Sequence, residues 1–70
     1  MKMSMFDEVM KKIAELTGKE VGDVEVSYVT VDGHKYPCFK VGNDYFIWTG
    51  ETLLGPIAHI DDETLRNLLG

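Results

Sequence analysis

The chain has little of what most small folds lean on. Cys38 is its one cysteine, so an internal disulfide is excluded, and with it a secreted disulfide scaffold. No apolar run approaches the roughly 20 residues that a membrane-spanning helix needs. The N-terminus shows neither an apolar signal-peptide core nor a small-residue cleavage site. These absences together lead us to expect a reducing, cytoplasmic setting. Basic residues are also scarce, seven Lys and Arg against twelve Asp and Glu, for a net charge of −5. Nucleic-acid affinity comes mainly from Lys and Arg neutralising phosphates, so direct nucleic-acid binding is not expected. The same deficit argues against docking on anionic membranes. Seventy residues form a single domain, 1–70, with a thin core, since a chain of that size buries only about 60% of its unfolded surface. Domains this small often recruit disulfides, metals or a second subunit.

The organising stretch runs from Val24 to Val41, where two arms rich in β-branched and aromatic residues flank Asp32-Gly33. That pair suits a two-residue type I′ turn, whose central positions both need φ > 0. The turn fixes a register in which Val31 faces His34, Val29 faces Tyr36, Ser27 faces Cys38 and Glu25 faces Lys40. On the other face Tyr28 meets Pro37, Val26 meets Phe39 and Val24 meets Val41. Glu25–Lys40 and Val26–Phe39 are favourable cross-strand pairs that were not used to choose the register. Pro37 has no N–H to give a ladder. In this register it is a non-hydrogen-bonded partner of Tyr28, so its missing N–H points towards the third strand, where pairing should end or bulge near Trp48.

Residues 1–4 read as a lead-in, with Ser4 and Asp7 forming an approximate capping box. Met5, Phe6, Val9, Met10, Ile13 and Leu16 then recur at helical spacing, and Gly18 stops a helix over Met5–Thr17. After the hairpin, Gly42-Asn43-Asp44 signals a second turn and Tyr45–Trp48 a third strand. With a loop of two or four residues, Phe46 and Trp48 join Val26, Phe39 and Val41 on one face, the preferred arrangement because it adds the bulkier pair. A one-residue slip would put Tyr45 and Ile47 there instead. Residues 52–60 contain two short apolar pieces broken by Gly55-Pro56, readable either as a short edge strand or as a loop over the core. Asp61 reads as an N-cap, with Asp62 and Glu63 in the first turn of a last helix carrying Leu65, Leu68 and Leu69. The fold class is thus α+β: an N-terminal helix, a three-stranded antiparallel meander that residues 52–60 could extend to a fourth strand, and a short C-terminal helix.

Chemistry-bearing residues are few. His34 and Cys38 share a face but lie about 13 Å apart along one strand, too far to bind one metal. A Cys38–His59 pair lacks a third, orienting group. His59, Asp61, Asp62 and Glu63 could hold a cation, but capping accounts for the acids. The two glycines of Gly50–Pro56 lack the Gly-Lys-Ser/Thr of a phosphate loop. Tyr36, Tyr45, Phe46 and Trp48 suit a base-stacking platform only inside a basic field, which is missing. No enzyme, metal or cofactor is expected.

Both sheet faces are apolar, whereas a half-solvated antiparallel sheet alternates more sharply. One helix covers one face. The second, bearing Val29, Val31, Tyr36, Tyr45 and Ile47, is covered either by the rest of the chain or by another molecule. The expectation from sequence is therefore an interaction module that uses this face to bind itself, as a homodimer, or a protein partner. The alternative is an acidic inhibitor, of the kind mobile elements encode, that blocks a basic site on a host enzyme through Asp61, Asp62 and Glu63.

Overall fold

The computed structural model describes residues 4–70, so most of the lead-in lies outside the described residues. A first helix, α1 (Met5–Thr17), is followed by a single 3-10 turn at Val21–Asp23. Four strands come next: β1 (Glu25–Val31), β2 (His34–Val41), β3 (Asp44–Trp48) and β4 (Leu53–Ile57). A second helix, α2 (Asp62–Leu69), ends the chain. The strands form one antiparallel sheet in the order β1-β2-β3-β4, an α+β meander with a helix on each face.

Local chemistry accounts for both helix starts. At α1 the Ser4 hydroxyl accepts the Asp7 N–H at 3.1 Å, and the Asp7 carboxylate accepts the Ser4 N–H at 3.4 Å. Each bond satisfies a backbone donor that the helix itself leaves free. At α2 the Asp61 carboxylate accepts the Thr64 N–H at 2.7 Å. That bond, from a group whose charge the helix end favours, holds the Asp61 carboxyl below its ordinary range, with His59 adding a smaller pull. A depressed carboxyl stabilises the fold above its unfolded pKa of about 3.9, and the gain disappears as pH falls through the lower folded value. Asp61→Asn keeps an acceptor but loses the charge. It should melt earlier than the parent chain above that window and converge with it at lower pH, as thermal unfolding across a pH series would measure.

The hairpin register is the one the turn dictates. Glu25 to Val31 pair with Lys40 to His34, residue for residue, and Asp32 and Gly33 take φ of 50° and 82°. Val24 lies beyond the ladder, at the end of the 3-10 turn, but is buried beside Val41. The second loop has two residues, Gly42 and Asn43, so Val41 pairs with Asp44 and Phe39 with Phe46. Phe46 and Trp48 therefore face α1. The β2–β3 ladder stops at Cys38–Ile47, one residue short of Pro37, where the missing N–H would have been required.

Residues 53–57 form a strand with an irregularity that hides its periodicity. Tyr45 pairs with Ile57 and Ile47 with Leu54, so Gly55 and Pro56 together stand opposite Phe46. This is a β-bulge, two residues against one. It turns Ile57 onto the same face as Leu54, both towards α2, while Leu53 joins Trp48 under α1. Gly55 is needed at this point: its φ is +139°, and an added Cβ would sit 2.7 Å from both a Phe46 ring carbon and the Tyr45 carbonyl oxygen. The turn leading into β4 is tied by Thr49, whose hydroxyl donates to the Thr52 carbonyl and accepts the Thr52 N–H, both at 3.1 Å.

Two apolar layers result. Under α1, Val9 and Ile13 pack on Val24, Phe39, Val41 and Phe46. Under α2, Leu65 packs with Val31, Cys38, Ile47 and Ile57, flanked by Ile60 and Leu69. The apolar stripe of α1 is narrower than its spacing suggests. Met5 and Leu16 are exposed, whereas Ala14 is buried.

Candidate interaction surface

The residues expected to form an interface divide. Ile47 is fully buried and Val31 nearly so, both beneath α2, and they are core residues of this fold. Val29, Tyr36 and Tyr45 are half-buried at the margin of the same layer. A helix of two turns thus covers the face that looked open, helped by Ile60 and the bulged strand. Asp61, Asp62 and Glu63 are exposed, but Asp61 spends its carboxylate on the helix cap.

The polar chemistry does not converge. Cys38 is buried, and burial pushes its thiol above the ordinary range, with the Ser27 hydroxyl opposing in part. A thiol held protonated is a poor nucleophile. His34 and His59 are exposed on separate parts of the chain. Among the described residues, no three His, Cys, Asp or Glu side chains gather as a metal site would require. A depression of about 700 Å³ lies between the end of α1 and the Gly42–Asp44 turn. Among the described residues, Lys19 and Asp44 are the charged groups lining it.

Exposed apolar side chains include Met5, Leu16, Val21 and Leu68, and two that share one strand, at the β1 margin on the α1 side. Val26 and Tyr28 are 40% and 49% exposed. The Phe6 ring lies 6.2 Å from Tyr28 and 5.9 Å from Phe39, bridging the exposed row to the core. The hairpin register puts Val26 and Tyr28 on the face that α1 covers, and geometry shows why they remain exposed. A helix about 10 Å across spans roughly two strands spaced 4.8 Å apart. With α1 packed on Phe39, Val41 and Phe46, the outermost strand is left over. The available signal was the meander itself, which makes the first strand an edge.

β1 is also unpaired along its outer side among the described residues. The residues flanking a two-residue turn form a hydrogen-bonded pair, so Val31, Val29, Ser27 and Glu25 direct their N–H and C=O groups to β2. Val26, Tyr28 and Thr30 direct theirs outward. Natural edges are usually blunted by lysine, proline, a bulge or shortness. β4, the other edge, has a proline and a bulge within five residues. β1 has seven residues, an unbroken register, no lysine or proline, and a single charge, Glu25, at one end.

This is a four-stranded α+β meander with one guarded edge and one open edge. No protein-family model, curated protein or solved structure matches the chain, so its own surface is the basis for a functional reading. Among the described residues, no helix is long and apolar enough to cross a membrane.

Proposed function

We propose that the chain is a protein-interaction module that works through the β1 edge and the apolar row beside it, rather than an enzyme. One observation carries this reading: a seven-residue edge without charge in its interior lies next to exposed Val26 and Tyr28. Outward backbone groups supply generic strand-pairing bonds, and the alternating side chains supply selectivity. The half-buried Tyr36 and Tyr45 lie over on the α2 side and would be peripheral to such a contact.

The acidic-inhibitor reading predicts the opposite salt response, because exposed charges are screened within about 8 Å at physiological ionic strength. The test is capture of binding proteins by the immobilised chain, compared with a Val26→Lys/Tyr28→Lys variant and with an Asp62→Asn/Glu63→Gln variant. Capture through β1 should persist in high salt, fall about tenfold or more in the first variant, and be unchanged in the second. Capture that is salt-labile and abolished only in the second would replace this reading with the acidic one.

A further inference from the structure

We infer that the partner of the β1 edge is a second copy of the chain, paired antiparallel through β1 about a two-fold axis at Tyr28 to give a continuous eight-stranded sheet. This inference rests on the interaction reading above and specifies its occupant. With Tyr28 opposite its own counterpart, the strand is complementary to itself. Val26 faces the second copy's Thr30, Ser27 its Val29, and Glu25 its Val31. The residues whose backbone groups point outward, Val26, Tyr28 and Thr30, then face one another in every instance. They exchange about six hydrogen bonds. The side-chain pairs on the α1 face are aromatic with aromatic and β-branched with β-branched, both favourable across strands.

Carboxylate charge does not oppose this register at its centre. The two Glu25 carboxylates lie at opposite ends of the paired strands, roughly 20 Å apart and well beyond the screening length. Lys35, one strand inward, holds its Nζ 4.5 Å from the Tyr28 ring centroid, so two ammonium groups flank the axis and salt screens their repulsion. Val26 and Tyr28, the most solvated apolar side chains of β1, would cover each other's margins, and Phe6 would flank them. A thin-cored chain of this size is one that gains from a second subunit. The remaining obstacle is bulk repulsion between two chains of net charge −5, so added salt should strengthen the association.

The test combines sedimentation with amide exchange on the full chain, from micromolar to near-millimolar concentration. The mass should rise from 7.9 kDa towards twice that value, and at lower concentration when salt is added. The Val26, Tyr28 and Thr30 amides should exchange about tenfold or more slowly at the high end, while those of Ser27, Val29 and Val31 stay constant. Tyr28→Pro removes the ring and an outward N–H but no hydrogen bond to β2, because position 28 gives none. It should be monomeric throughout, and Tyr28→Lys, which retains every backbone group, should also weaken the dimer.

A mass that stays monomeric at the highest concentration would overturn the inference. So would a dimer whose three outward amides exchange at the monomer rate, or one that persists in both variants. A monomer that still captures a partner through Val26 and Tyr28 overturns the second copy alone. A monomer whose capture ignores those residues overturns the interaction reading as well.

Discussion

Gly55→Ala should cost about 2–6 kcal/mol of stability. Two costs add. The first is conformational: a φ of +139° is territory that an L-residue occupies only under strain, worth about 1–3 kcal/mol. The second is steric. The new Cβ would meet the Phe46 ring and the Tyr45 carbonyl oxygen, each at 2.7 Å. Neither can retreat easily, because Phe46 is 3% exposed beneath α1 and Tyr45 is held in the ladder to Ile57. Overpacking of this kind costs about 1–3 kcal/mol. A domain of this length has on the order of 4–10 kcal/mol in total. The melting temperature should therefore fall by about 10 °C or more. Gly22→Ala is the control, since an added Cβ there meets nothing within 4 Å. A Gly55→Ala melting curve matching that control would mean that the bulge does not hold β4 as described.

Ile47→Asp should unfold the chain at neutral pH. Ile47 is completely buried, lies between Cys38 on β2 and Leu54 on β4, and belongs to the layer closed by Leu65. Removing its side chain costs about 2–5 kcal/mol before charge is considered. A carboxylate with no buried partner adds a further penalty, which the chain can escape only by unfolding or by protonating the group. A buried acid of this kind has its folded pKa raised. The variant should accordingly regain stability as pH falls towards the unfolded value of about 3.9 and lose it as pH rises. Tyr36→Asp, half-buried at the edge of the same layer, should cost far less. Circular dichroism of the two variants across pH separates them. If Ile47→Asp folded normally at neutral pH, the layer under α2 would not be a packed core, and that sheet face would again be open to a partner.

The legible parts of the fold were those set by short-range chemistry. Asp32-Gly33 fixes the hairpin register because the turn allows only one pairing, and Pro37 ends the next ladder because it lacks a donor. Ser4, Asp7 and Asp61 mark their helices by bonds made within three residues. What stayed hidden depends on distances between elements. Residues 53–57 resisted reading because the bulge interrupts the two-residue alternation, putting Leu54 and Ile57 on one face although they stand three apart.

Coverage of the sheet was the other hidden quantity. The sequence shows that both faces are apolar, but how far a helix reaches across four strands is a matter of widths, not of pattern. α2 covers the face bearing Val31 and Ile47, whereas α1 touches Tyr28 through Phe6 but leaves Val26 and Tyr28 exposed on the other. The candidate surface thereby moves from the interior of one face to the rim of the opposite one. That rim was visible in the topology but not in the hydrophobic pattern.

The order β1-β2-β3-β4 bears on how the chain reaches this state. Every ladder joins strands that follow one another directly, two of them through loops of only two residues. Chain closure is cheap for such contacts, and folds rich in them cross their barrier quickly. Each hairpin can form and be extended by the next strand without waiting for a distant segment. The longer closures are left to α1 and α2, which flank the strands in sequence and pack on opposite faces. Until α2 closes, the row from Val29 to Ile47 faces water. During synthesis all four strands therefore precede the helix that completes the protection of their second face.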